Sequence, residues 1–178
     1  MKRRAPQADT SVTLGLLAAW ALHDTEELVT VPRWVRTRVP ELRKRYPQVP
    51  EGVWRQLEAV DGREFATAVA AMAVVVGVAA VDGYRTGGRS AVYQTALNGF
   101  GLHGVVHLAQ AAAARGYTPG SVTSPLVVIP FTLWARGRLR RAGVLRPARP
   151  RDVVQALGFA GVAAVGTHAL ARRVLSSR

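Results

Sequence analysis

The sequence predicts an all-α membrane protein, a polytopic bundle of about five helices that forms a single domain over residues 1–178. Three observations predict this fold class. Hydrophobic residues make up 49% of the chain, and they gather into blocks close to the roughly 20 residues that span a bilayer. Arginine-rich connectors separate the blocks and carry most of a formal net charge of +13. Basic residues beside apolar blocks contact anionic headgroups, so the charge indicates a membrane and no nucleic-acid partner.

The first apolar segment, residues 10–31, is interrupted by ionisable side chains. His23, Asp24, Glu26 and Glu27 lie among leucines and valines. Such groups are costly at membrane depth and mark a functional site by default. Because an α-helix advances about 100° per residue, His23, Glu26 and Glu27 share one face. Asp24 lies off that face, which favours a supporting role for it.

Residues 32–63 are predicted to form a basic connector that lies at the membrane interface. The connector contains four prolines, and the aromatic residues Trp34, Tyr46 and Trp54 are spread among its charges. Aromatic and basic residues together are typical of a segment at headgroup level. From Glu51 onward the spacing of apolar residues predicts a short amphipathic helix that runs on into the next span.

Four further apolar segments follow the connector. Residues 64–82 and 91–114 are long enough to span a bilayer. Residues 119–135 contain Pro125 and Pro130 in their interior, so this fourth segment is predicted to be short, kinked or re-entrant. Residues 152–171 are rich in glycine and alanine, which suit close helix packing in lipid.

His103 and His107 extend the candidate site to the third segment. Their i, i+4 spacing places both imidazoles on one helix face. Histidine and glutamate one turn apart on facing helices hold metals in di-iron carboxylate bundles, and three histidines with a water hold catalytic zinc. The chain has no cysteine, so thiolate sites are excluded. The expected cofactor is a divalent zinc, iron or manganese ion, and the predicted ligands are His23, Glu26, Glu27, His103 and His107.

Two other interpretations of these residues remain open. Glu26 and Glu27, the predicted catalytic residues, could work without a metal, one as a proton donor to an alkene or epoxide and the other steadying the resulting cation. Alternatively, buried polar side chains could serve only as hydrogen-bonded contacts between helices. Asn98 and His168 are expected to be packing residues, outside the site.

The ordered motifs resemble those of the HXXEE-domain family of small bacterial membrane proteins. The resemblance rests on His23-Asp24-Thr25-Glu26-Glu27, on the helix with Asn98, His103 and His107, and on Tyr117-Thr118-Pro119-Gly120 before an apolar run ending in Ile129-Pro130. It covers roughly residues 10–135. The resemblance implies a multi-helix membrane domain built around these histidines and glutamates, and it implies no particular reaction.

The sequence therefore favours a multi-pass protein of the bacterial plasma membrane that acts as an enzyme on a lipid or isoprenoid-like substrate. Membrane lipids and a hydrophobic small molecule are the expected partners, and an oligomer is compatible with the sequence. Transport of protons or divalent cations is the first alternative, since the same groups could relay either. The second alternative is a non-catalytic membrane interaction protein whose polar residues set helix register.

Overall fold

The computed structural model describes residues 8–147 and, beyond them, residues 158, 166–167, 169–170 and 173–174. The described residues form helices and no strands, which confirms the all-α prediction. The predicted segment 152–171 lies outside the described residues except at isolated positions. The helices are α1 (Thr10–Thr13), α2 (Gly15–Arg45), α3 (Glu51–Glu58), α4 (Gly62–Arg85), α5 (Ala91–Ala114) and α6 (Ile129–Arg141), and a π-helical turn over Ser124–Val128 leads into α6.

Helix α2 continues through two prolines, where the sequence predicts a connector. It runs on past Pro32 and Pro40 for 31 residues in all. Each proline removes one backbone hydrogen bond, but burial of an apolar stripe at helical spacing offsets that loss. The stripe packs against α3 and the end of α5, in a cluster formed by Val35, Val39, Leu42, Trp54 and Ala114.

Helices α3 and α4 are separate, where the sequence predicts one continuous helix. A break at residues 59–61 divides them, and the Asp61 carboxylate begins α4 by accepting a hydrogen bond from Glu64 N at 3.2 Å. Among the described helices, α4 alone is long and apolar enough to cross a membrane by its length and composition. Three acidic residues interrupt the apolar stretch of α2, and histidine and amide side chains lower the hydropathy of α5.

Helix α6 runs antiparallel to α5 along most of its length. Gly104 faces Val128, and Gly101 faces Thr132 one turn further along. The amide oxygen of Asn98 then accepts a hydrogen bond from the Arg136 guanidinium. The fourth predicted segment therefore runs alongside α5 without doubling back, so its re-entrant alternative differs from the structure. A π-helical turn that contains Pro125 lies within this segment.

The core of the bundle lies on the side of α5 that faces α1, α4 and α6. Tyr93 is fully buried there, against Gly83 of α4, and its hydroxyl donates to the carbonyl oxygen of Val12. This packing fixes α5 within the bundle and leaves its second half beside α2. The buried core residues around Tyr93 are mainly Val12, Leu16, Leu97, Phe100, Val128 and Leu139.

Candidate metal centre

The first half of α2 and the second half of α5 bring four ligand-type side chains together. His23 and Glu27 lie one turn apart on α2, and His103 and His107 lie one turn apart on α5. Each of the four offers a ligand atom within 4.8 Å of the others. Both i, i+4 pairs therefore face each other across one helix interface. We call these four residues the His–Glu cluster.

The separations within the His–Glu cluster suit a tetrahedral ion. His107 Nε2 lies 2.8 Å from His103 Nε2 and 3.4 Å from Glu27 Oε1. His23 Nε2 lies 3.9 Å from Glu27 Oε2. Bonds of 2.0–2.1 Å to a tetrahedral zinc place neighbouring ligand atoms about 3.4 Å apart. These three distances lie on either side of that value, and the ligand atoms of all four residues lie within 4.8 Å of one another. His103 and His107 share a hydrogen bond between their Nε2 atoms, which an ion would replace.

The His–Glu cluster is largely shielded from solvent. His23 is 0% exposed and His107 is 6% exposed, while the Glu27 side chain is 13% exposed. His23 Nε2 is buried and has no hydrogen-bond partner among the described residues. Buried polar atoms nearly always have a partner, because leaving one unpaired costs about 1–3 kcal/mol. An ion held by the cluster would supply the missing partner of His23 Nε2.

Glu26 stands apart from the His–Glu cluster and holds the loop before α6. Its carboxylate accepts four hydrogen bonds, from Tyr117 Oη at 2.8 Å, Val122 N at 3.4 Å, Thr123 N at 2.8 Å and Thr123 Oγ1 at 2.6 Å. A carboxylate has about four lone-pair positions, and all are occupied here. The structure thus separates Glu26 from the metal ligands with which the sequence grouped it.

The Tyr117 phenol remains a hydrogen-bond donor in this arrangement. Partial burial raises the pKa of Tyr117, which keeps the hydroxyl protonated at neutral pH. Its proton points to the Glu26 carboxylate. The carbonyl oxygen of Tyr117 in turn accepts a hydrogen bond from Trp34 Nε1 at 2.9 Å. The loop is therefore tied to α2 at two separate positions.

Comparison with known proteins identifies the family of the chain. Residues 14–135 match the family described as "Protein of unknown function with HXXEE motif". The chain belongs to the HXXEE family. The match begins just before α2, ends within α6, and includes the His–Glu cluster, Glu26 and the loop. Neither a curated protein nor a solved structure was found to match the chain.

The residues of the HXXEE motif contact two different parts of the protein. His23 and Glu27 face α5 and belong to the His–Glu cluster, whereas Glu26 faces the loop. Adjacent residues on a helix point about 100° apart, which allows the two glutamates to serve different neighbours. The sequence placed all three residues on one face and did not distinguish these roles.

The loop of this HXXEE protein packs directly on two imidazoles. Gly120 has a φ of +79°, and a Cβ built there would lie 2.8 Å from the His107 ring and 2.9 Å from His23 Cε1. Pro119 and Gly120 lie in a turn. The sequence did not reveal the contact of Gly120 with the histidines. Thr123 was also missed, because a single threonine in an apolar run carries no distinguishing signal.

The remaining polar residues of the two helices lie outside the His–Glu cluster. Asp24 is buried on α2, and Asn98 pairs with Arg136. Gln94 Nε2 donates to the carbonyl oxygens of Gly88 at 2.7 Å and Val144 at 2.9 Å, which anchors the chain after α6. Asn98 and Gln94 thus connect segments of the bundle. His168 lies outside the described residues.

Proposed function

We propose that this protein is a metal-dependent enzyme of a membrane that acts on a lipid or isoprenoid-like substrate. The observation that carries the proposal is the convergence of His23, Glu27, His103 and His107, whose ligand atoms lie within 4.8 Å of one another. Three neutral imidazoles are a ligand set suited to zinc, iron or manganese, and the Glu27 carboxylate lies beside them. Interhelical contact alone does not require three imidazoles at one point.

In the proposed site the three imidazoles hold the ion and Glu27 acts beside it. A divalent ion held there would polarise a substrate oxygen or lower the pKa of a water molecule. Glu27 is placed to accept a proton beside the imidazoles, since its two oxygens face His107 Nε2 at 3.4 Å and His23 Nε2 at 3.9 Å. Glu26 has no free lone pair for this task, so we assign Glu27 as the general base.

Apolar side chains on the outside of the bundle support a membrane location. Large hydrophobic residues are exposed on α2, α4, α5, the π-helical turn and α6, including Leu22, Val29, Val74, Val78, Val105, Leu126 and Leu133. Large exposed apolar patches on a folded protein mark contact with lipid or with another protein. Together with α4, the one candidate span among the described helices, these residues favour contact with lipid, as the proposed multi-pass protein of the bacterial plasma membrane requires.

The depth of the His–Glu cluster favours chemistry close to a lipid headgroup. His107 lies seven residues before Ala114, the last residue of α5, which corresponds to about 10 Å along the helix. Basic side chains follow at that end of the bundle, among them Arg33, Arg38 and Arg115. In a lipid lying against the apolar surface, the bonds next to the headgroup would lie at the level of the His–Glu cluster.

Transport is the main rival, and the packing of the bundle favours catalysis over it. A pathway for protons or cations needs polar groups that continue across the bundle. On the side of the His–Glu cluster toward the N-terminus of α2, the interior is filled by apolar residues such as Leu16, Leu97 and Phe100. The interior on that side of the cluster is thus apolar, which argues against a continuous polar pathway across the bundle.

Glu27→Gln tests the proposed function. The amide keeps the size of the side chain and cannot accept the proton, so we expect bound metal to remain while turnover falls by about 10²–10⁴-fold. The assay incubates the purified, metal-loaded protein with vesicles of mixed phospholipid and isoprenoid lipids and follows every lipid by mass spectrometry. Asp24→Asn, a carboxylate-to-amide change on the same helix outside the cluster, is the matched control.

Two results would contradict the proposal. One is metal-loaded wild-type protein that leaves every lipid unchanged. The other is ion flux in proteoliposomes that Glu27→Gln abolishes, which would assign the site to transport. Equal lipid turnover by wild type and Glu27→Gln would instead remove Glu27 from the mechanism.

A further inference from the structure

We infer that Thr123 is a positioning residue that fixes the tautomer and orientation of the His23 imidazole. The consequence for metal affinity rests on the proposed function, whereas the tautomer itself does not. Thr123 lies directly before the π-helical turn, on the loop side of the His–Glu cluster. It touches both Glu26 and His23, two residues of the HXXEE motif.

A chain of short hydrogen bonds connects the three side chains. Thr123 Oγ1 donates to Glu26 Oε2 at 2.6 Å, and His23 Nδ1 lies 2.7 Å from the same hydroxyl oxygen. The backbone N–H of Thr123 also donates to Glu26 Oε2, at 2.8 Å. Two bonds to one carboxylate oxygen hold the threonine in place. The hydroxyl is therefore presented to His23 in a fixed position.

The proton positions follow from the number of donors and acceptors. An ionised carboxylate can only accept, so the Thr123 hydroxyl gives its one hydrogen to Glu26. The hydroxyl oxygen then has only lone pairs to offer His23, and His23 Nδ1 must carry the proton. A neutral imidazole has one N–H, which leaves Nε2 of His23 with its lone pair. That lone pair faces Glu27 and the rest of the His–Glu cluster.

The assigned tautomer explains why His23 Nε2 is unpaired. His23 Nε2 is one of two buried ring nitrogens of the cluster without a hydrogen-bond partner among the described residues, the other being His107 Nδ1, and a bare lone pair is what a metal ligand requires. Metal-bound histidines usually donate their second N–H to a fixed acceptor, and loss of that acceptor typically lowers metal affinity 10- to 100-fold. In this chain the acceptor is a hydroxyl held by Glu26.

The tautomer can be tested in metal-free protein. Wild type with ¹⁵N-labelled histidine is expected to show a protonated Nδ1 and an unprotonated Nε2 at His23 in imidazole ¹⁵N spectra. Thr123→Val removes the acceptor with little change of shape, and we expect it to give a mixture of tautomers. Thr123→Ser restores the hydroxyl and the wild-type pattern. Thr132→Val is the control, since Thr132 is a buried threonine on α6, outside the His–Glu cluster, and its hydroxyl has no hydrogen-bond partner among the described residues.

Titration of the same four proteins with Co²⁺ gives the second readout. We expect Thr123→Val to bind Co²⁺ about 10- to 100-fold more weakly, and Thr123→Ser and Thr132→Val to bind like wild type. An unchanged His23 tautomer in Thr123→Val, or an Nε2 proton in wild type, overturns the inference even if Co²⁺ binds. The expected tautomers in a protein that binds no Co²⁺ uphold the inference and contradict the proposed function.

Discussion

Gly120→Ala is expected to give a protein that melts well below wild type and no longer binds metal. The backbone at Gly120 has a φ of +79°, which costs an alanine about 1–2 kcal/mol. The new methyl group would also lie 2.8 Å from the His107 ring and 2.9 Å from His23 Cε1. Overpacking of this kind costs typically about 1–3 kcal/mol more. Relief of the clash must displace the loop or the two imidazoles, and either movement opens the His–Glu cluster.

Gly143→Ala separates the backbone cost of a positive φ from the cost of overpacking. Gly143 has a φ of +66°, but a Cβ there meets nothing within 4 Å. This variant should therefore show only the backbone cost and should retain metal. Thermal melting in detergent and metal content are measured for both variants beside wild type. Equal melting temperatures for the two variants would mean that Gly120 does not pack on the histidines as the structure has it.

Glu26→Gln is expected to make the loop before α6 more mobile. Glu27→Gln is expected to leave the loop as in wild type. The amide nitrogen of glutamine is a donor, and it would face the donors that now bind the Glu26 carboxylate. Each donor left unpaired costs about 1–3 kcal/mol, toward the lower end here because Glu26 is partly exposed. Hydrogen exchange at the Val122 and Thr123 amides should become about tenfold faster or more.

Glu27→Gln is the matched control for this experiment. Glu27 is the next residue of the same motif, and none of its hydrogen bonds or ion pairs reaches the loop. Exchange of the loop amides in Glu27→Gln should therefore follow wild type. Unchanged exchange in Glu26→Gln would show that Glu26 does not anchor the loop, and would also remove the support on which Thr123 depends.

The helices were predictable from the sequence where periodicity alone determines them. The apolar stretches of α4 and α5 have clear boundaries, and Asp61 and Ser90 begin these helices as side-chain caps. Helix α2 was predicted to end too early, because the local preference of Pro32 and Pro40 is outweighed by burial of its apolar stripe. That burial involves α3 and α5, so no local pattern could indicate it.

The candidate site was predictable in composition and less so in arrangement. The i, i+4 pairs on α2 and α5 follow from residue spacing, and His23, Glu27, His103 and His107 are all among the predicted ligands. The distinction between Glu26 and Glu27 depends on the loop, about 90 residues away in sequence. The contacts of Gly120 and Thr123 also depend on tertiary structure, which spacing along one helix cannot supply.

The metal content of the purified protein tests the central claim most directly. Wild type, His107→Ala and His168→Ala are produced in medium supplemented with zinc, iron and manganese, purified in detergent and analysed for bound elements. His168 is the fourth histidine of the chain and is not among the predicted ligands, so its variant controls for loss of an imidazole. We predict about one ion per chain in wild type and in His168→Ala, and background levels in His107→Ala. Equal metal in all three proteins, or none in wild type, would contradict a metal centre formed by the His–Glu cluster.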